Sequence, residues 1–291
     1  MCDALKNFKL KLEEAVCIVK DYHKPSKQNK QLIHYWKNNV VTLLNPTTLV
    51  KTPIVLNKSI DADAESISFA ERIFIMGDRS YTRNVYEIGL ETKSLISKAD
   101  MLMGKKSHGL CIARRQIYSI GGSNGNCIGD CEKYSVARDE WSTLPNLQTP
   151  RFGNVFSFND MEVYTIGGFN TTSYFNTIEK LNVIECKKWV YVKTTNAFSP
   201  RDALNAVQIN AHEVIVFGGI KVKEEYSSFY ILKMGDNIEF ITPQSKMKKN
   251  AIFCYTAAPI FDGENVYGVD HQRNVHVYSV VGSKKWKMIK A

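Results

Sequence analysis

Residues 117–122 read IYSIGG, an apolar run closed by two glycines. The same phrase returns as VYTIGG at 163–168 and as VIVFGG at 214–219. Its first glycines, Gly121, Gly167 and Gly218, stand 46 and 51 residues apart, each followed by a second one: Gly122, Gly168 and Gly219. IFIMGD places Gly77 at the same point, 44 residues before Gly121. Towards the C-terminus NVYGVD keeps the strand but has Asp270 where the glycine should be, and near the start LIHYWKNN has strand character with no glycine. Self-similarity at a period of about 40–50 residues is the mark of a repeat architecture.

Other landmarks move with the glycines. An aromatic residue follows each by roughly twenty positions (Trp141, Trp189, Phe240 and, a little sooner, Trp286). Between them lies a short alternating strand holding Tyr86, Tyr134, Leu181, Tyr230 or Tyr278. Ahead of the glycine strands run HGLCIA, GNVFSF, LNAVQI and YTAAPI, and two repeats open with Pro-Arg at 150–151 and 200–201. The unit is therefore four short strands, a to d, with turns between them. Strand b is nearly all apolar, as a strand covered on both faces must be. The paired glycines at its end permit positive φ and close backbone approach. One such sheet cannot bury two apolar faces alone, whereas sheets stacked radially about an axis bury both.

The segment HGLCIARRQIYSIGGSNGNCIGDCEKYSVARDEWSTL (108–144) resembles a kelch repeat, with glycines after strand b, a Tyr in strand c and a Trp about twenty residues on. The resemblance extends over roughly residues 30–291 and implies an all-β, six-bladed kelch-type β-propeller, with blades at 31–53, 66–100, 107–146, 152–196, 202–243 and 252–290. IYSIGG then becomes the inner strand of a blade. The first repeat is short and has no obvious strand a, so the missing strand must come from elsewhere.

Residues 1–28 precede the propeller assigned to 29–291. Within them Leu5, Phe8, Leu12, Ala15, Val19 and Tyr22 recur at alternating intervals of three and four, the pattern of a short amphipathic α-helix. Such a helix would pack on the propeller or serve self-association. A BTB-type partner-recruiting module would need over a hundred residues.

The chain of 291 residues is 44% hydrophobic and carries a formal net charge of +9, which favours acidic partners. No run of about 18 apolar residues is present, so no membrane span is expected. The N-terminal stretch carries Glu13 and Glu14 in its middle and is not expected to be a secretory signal. Seven scattered cysteines then read as reduced thiols of a cytoplasmic protein. Nothing resembles a nucleic-acid-binding motif.

No catalytic or cofactor motif stands out, and the six histidines are dispersed over different repeats. Cys127 and Cys131 in CIGDC lack the two further ligands zinc would need, so no metal site is expected. His108 sits where the kelch pattern carries a structural His. The reading is a non-catalytic protein-interaction or scaffold module. The alternative is a propeller enzyme acting on a carbohydrate or small metabolite, of the galactose-oxidase-like or sialate-processing class. The loops after strand b offer Arg79, Tyr81, Arg83, Tyr174, Phe175 and Tyr226 as partner anchors, since aromatic and arginine side chains dominate interfaces. Arg151 and Arg201 are expected either to edge that binding face or to tie neighbouring blades together. Arg79, Arg83, Lys221 and Lys223 on one face point to a protein partner with an acidic, extended segment.

Overall fold

The computed structural model describes residues 32–45, 48, 50–221, 224–225, 228–247, 258–270 and 272–289. The helix expected over residues 4–22, with the self-association it would serve, lies outside the described residues. So do Tyr226 and Lys223.

Six antiparallel sheets follow one another along the chain. Blade 2 holds Glu65–Phe69, Arg72–Met76, Val85–Gly89 and Ser94–Ser97 as strands a to d. Blade 3 holds Gly109–Ala113, Gln116–Ile120, Cys131–Ser135 and Glu140–Leu144. Blade 4 holds Val155–Phe158, Glu162–Ile166, Ile178–Asn182 and the short Val190–Tyr191. Blade 5 holds Asp202–Gln208, Glu213–Lys221, Phe229–Lys233 and Glu239–Ile241, with Glu224–Glu225 folded back on the end of strand b. Blade 6 holds Ile260–Phe261, Asn265–Val269, Val275–Ser279 and Trp286–Ile289.

Blade 1 has three strands among the described residues, Ile33–Lys37, Val40–Leu44 and Lys51–Val55. They are b, c and d. In blades 2 and 4 an amide just past strand d bonds to the start of strand c, Lys98 to Val85 and Val192 to Ile178; Leu56 does the same to Asn39. Asn38, at φ 55°, occupies the left-handed position that glycine holds elsewhere.

The apolar run of strand b serves two interfaces at once. Along blade 5, Val214 and Val216 enter the seam with blade 4, while Ile215 and Phe217 enter the seam with blade 6. In blade 3, Ile117 faces blade 2 and Tyr118 and Ile120 face blade 4. Period-two alternation thus explains why the strand has no polar face. The strand-d aromatics fill the same seams, each against the preceding blade: Trp141 on blade 2, Trp189 on blade 3, Phe240 on blade 4 and Trp286 on blade 5. The indole N–H groups of Trp141 and Trp189 donate to the Ala99 and Pro145 carbonyls of the incoming linkers.

Blade 1 meets blade 6 where the ring closes. Ile33 and Leu44 of blade 1 pack with Tyr267, Val269 and Val277 of blade 6, and Arg273 Nε donates to the Trp36 carbonyl at 2.9 Å. Strand a, not strand b, is innermost: the a strands of blades 2 to 6 contact one another in sequence around the axis, and b lies second. The expectation that IYSIGG is the inner strand is corrected here. Sheet order and the contacts between neighbouring a strands place HGLCIA on the axial side.

Because the strands alternate in direction, the b–c loops and the d–a linkers share one face of the ring. The a–b and c–d turns share the other. In blades 2, 3 and 4 the a–b turn carries two consecutive residues at positive φ, such as Arg114 and Arg115 at 49° and 56°.

Candidate interaction face

On the b–c face blade 3 is clasped by the linker into blade 4, and blade 4 by the linker into blade 5. The Gly168 amide at the end of the blade 4 strand b donates to the Arg201 carbonyl at 2.9 Å. Gly167 beside it has φ +64°, and a Cβ there would lie 2.7 Å from that carbonyl oxygen. No side chain fits so close to backbone. The Gly122 amide makes the same bond to the Arg151 carbonyl at 3.0 Å.

The side chains of these two arginines turn inward. Arg151 is 0% exposed. Its guanidinium donates to the Gly167 carbonyl at 2.9 Å and to Glu179 Oε1 at 2.7 Å, and it covers the Phe175 ring at 4.9 Å. Arg201 donates to the Gly218 carbonyl, Ser228 Oγ and Tyr230 Oη at 3.0–3.3 Å. Both are enclosed and offer no surface to a partner. Of the two roles expected of them, the geometry displays the tie between blades. Lys105 holds the equivalent place in blade 3, paired with buried Glu132 at 3.0 Å. Sequence reading missed it because GKKS lacks the Pro-Arg mark. Its signal was its distance before strand a.

The loops above this clasp are shaped by Asp and Asn side chains. Asp78 accepts the amides of Ser80 and Thr82 at 2.9 and 3.1 Å and the Thr82 hydroxyl at 2.7 Å. That turn presents Arg79 and Tyr81. Arg79 remains largely exposed yet reaches Asp61 at 3.3 Å and Asp63 at 3.9 Å. Lys106 lies over the Tyr81 ring at 5.4 Å and reaches Asp63 at 3.6 Å. Arg83 is exposed, with its Nε donating to the Met101 carbonyl. In blade 4, Asn170 Oδ1 accepts the amides of Thr172 and Ser173. The ring of Tyr174 stacks on Phe169 at 4.5 Å, and Phe152 meets Phe169 edge-on at 5.9 Å. All three are half-buried. Phe175 turns the other way, beneath Arg151. The sequence reading picked out Tyr174 but not Phe152 and Phe169, whose partnership spans two segments and becomes visible only once the loop folds back.

Buried ionisable groups lie along the seams rather than in one pocket. Burial pushes the Glu65 carboxyl well above the usual range and the His108 imidazole well below it. His34, bonded to Ser66 Oγ at 2.8 Å, is lowered to about 4 by burial. Asp270 lies 2.9 Å from His276, and that bond with those from Asn274 outweighs burial and holds its carboxyl low. Near the axis a cavity of about 220 Å³ is walled by Ile67, Leu110, Ile112, Val155, Val207 and Phe261. Among the described residues no three His, Cys, Asp or Glu side chains gather as a metal site would require.

Comparison with known proteins agrees with this architecture. The kelch motif matches residues 105–148, which run from the linker through blade 3. Alpha-scruin of Limulus polyphemus is 27% identical over 176 residues, covering 58% of this chain and 18% of that protein. Kelch repeat protein C2 of Vaccinia virus (strain Western Reserve) is 27% identical over 172 residues, 57% of this chain and 33% of its own length. The kelch repeat and BTB domain-containing protein 2 of Cowpox virus (strain Brighton Red) is 25% identical over 202 residues, 62% of this chain and 35% of that one. The matched region thus spans about a third or less of these relatives. With the kelch motif in blade 3, kelch-repeat relatives over about three fifths of the chain and six sheets following one another as blades, the chain is similar to the kelch-repeat β-propellers.

Proposed function

We propose that this propeller is a non-catalytic protein-interaction module that receives its partner on the b–c face. The observation that carries the reading is the Phe152–Phe169–Tyr174 platform. Three aromatic rings packed together yet half open to solvent give a rigid apolar anchor point, the kind that dominates binding energy. An apolar or aromatic side chain of the partner would sit there. Arg79 and Arg83, two blades away, would meet an acidic group in the same partner, as an extended acidic segment provides. The ion pairs of Arg79 with Asp61 and Asp63 reduce that attraction, so the aromatic anchor is the larger contribution. A cytoplasmic location is part of the proposal and is supported by the four described cysteines, all of them free thiols. Self-association through residues 4–22 remains a separate proposal, tested by comparing the solution mass of the full chain with that of a form lacking residues 1–24.

The test of the main reading is capture of partners from the native cell by the full chain, by Phe169→Ala/Tyr174→Ala and by Arg79→Ala/Arg83→Ala, at low and high salt. The first variant should lose the specific partner. The second should weaken it and flatten the salt dependence. Capture that is indifferent to both would place the interface elsewhere.

A further inference from the structure

We propose that the inner seam between blades 2 and 3, where Glu65 and His108 are buried, is an acid-operated latch for the Arg79–Lys106 sector of the b–c face. Glu65 opens strand a of blade 2, and His108 directly precedes strand a of blade 3. They are 2% and 1% exposed. Among the described residues, Glu65 Oε2 and both ring nitrogens of His108 have no hydrogen-bond partner. Buried polar atoms are seldom left so, and each orphan weakens the structure around it.

The two side chains converge on one short piece of backbone. Glu65 is hydrogen-bonded to the backbone of Ser107, next to His108. The imidazole in turn rests on blade 2: a Cβ on Gly77 would lie 3.1 Å from His108 Cε1 and 2.3 Å from the Lys105 carbonyl. Charged groups face the pair from every side. Asp63, on the linker from blade 1, acts on Glu65. Lys105, on the linker from blade 2 and paired with Glu132 of strand c, acts on His108. From the blade 1 side His34 bonds to Ser66, the neighbour of Glu65. The outward groups meet on one of these linkers: Lys106, from the linker into blade 3, and Arg79, from the b–c turn of blade 2, both reach Asp63.

Burial works against charge on both groups, raising the Glu65 carboxyl and lowering the His108 imidazole, so near neutral pH the imidazole is uncharged. Acid changes this. An imidazole whose pKa is lowered by folding stabilises the fold above the ordinary histidine range and withdraws that stability as pH falls below it. The new cation would stand beside Lys105 with no acceptor of its own. The linker at 105–108 must then shift, and Lys106, with Asp63 and Arg79, loses its fixed position. Glu65 gives the opposite edge: its contribution is full below the ordinary carboxylate range and is lost as pH rises through its raised value, when it charges beside Asp63.

The consequence for binding rests on the interaction reading above, but the latch is tested without a partner. Amide hydrogen exchange of the full chain, corrected for intrinsic rates, is compared at about pH 7.5 and pH 5.5 for peptides covering 78–84 and 103–110. Strand b of blade 5, at 214–217, is the reference. Protection in the first two should fall roughly tenfold on acidification while the reference holds. His108→Gln should abolish the change, and Glu65→Gln should keep it. An undiminished response in His108→Gln, or equal loss in all blades, overturns the latch. A second measurement covers the case in which the variant does not fold: the His108 ring resonances of the wild type. They should stay those of a neutral imidazole well below pH 6.5, and titration near the ordinary value would overturn the proposal. Partner capture at pH 7.5 reports on the interaction reading alone.

Discussion

The Arg151 carbonyl accepts the Gly122 amide of blade 3 at 3.0 Å, while the guanidinium of the same residue donates to Glu179 of blade 4 at 2.7 Å. One residue thus fixes a blade internally and clasps it to its neighbour. Arg201 repeats both roles one blade on, its carbonyl accepting the Gly168 amide and its guanidinium donating to the Tyr230 hydroxyl among others.

That comparison sets the first prediction. Arg151→Ala leaves the Glu179 carboxylate, itself 0% exposed, without its cation, and should destabilise by about 3–5 kcal/mol in urea unfolding. Arg151→Met with Glu179→Leu should recover part of this, since an apolar pair carries no buried charge. Recovery will be incomplete because Glu179 also accepts the amides of Gln148 and Thr149, which the leucine would orphan. A double variant as stable as wild type would show that those amides find other acceptors.

Two glycines separate close approach from backbone strain. Gly167→Ala places a methyl group 2.7 Å from the Arg201 carbonyl, in a left-handed conformation as well. Gly125 has φ +105° with nothing within 4 Å, so Gly125→Ala meets strain alone. The first should cost about 3 kcal/mol or more and the second about 1 kcal/mol in the same unfolding assay. Equal costs would mean that the blade 4–5 seam yields easily to the added methyl.

The blade count was legible because strand b must be apolar on both faces and must end in residues able to take positive φ. Both demands are written locally, in IYSIGG and its echoes. Blade 1 was legible only as a strand, since Asn38 satisfies the φ requirement without the glycine that announces it. Which strand is axial was not legible: HGLCIA and IYSIGG are both apolar, and only sheet order separates them. Pro-Arg at 150–151 reads the same whether the arginine faces solvent or Glu179, because its partner lies 28 residues away. The aromatic platform stayed hidden for a similar reason. Phe152 precedes strand a and Phe169 follows strand b, and hydrogen bonding of the Phe152 amide to the Phe169 carbonyl brings them together.

Acid should weaken the fold through His34 in a measurable way. Burial lowers its imidazole from 6.5 to about 4, against a smaller opposing effect of its bond to the Leu32 carbonyl. A lowered histidine contributes its stability in full above pH 6.5 and loses it as pH falls towards 4. At pH 5 the loss from this residue should be about 2 kcal/mol relative to pH 7. His34→Gln should be less stable than wild type at pH 7, having lost the bond to Ser66, but should narrow the gap by about that amount at pH 5. Parallel pH profiles of the two proteins would mean that His34 does not titrate in this window.

The last prediction concerns the platform and is designed to fix the binding face. Tyr174 and Phe169 are half-buried in a loop whose turn is held by Asn170, so truncating either ring should leave the blade folded. A partner anchored there should lose about 1–2 kcal/mol per ring, or roughly 5–30-fold in affinity, in a titration with the captured protein. Met161, exposed beside an a–b turn, lies on the opposite face and serves as the control; Met161→Ala should change nothing. Because Tyr174 stacks on Phe169, removing both should cost less than the sum of the single losses, as each ring depends on the other for its position. Additive losses would point to two separate contacts. Weakening by Met161→Ala with both ring variants silent would move the interface to the a–b face, where Arg114 and Arg115 stand exposed.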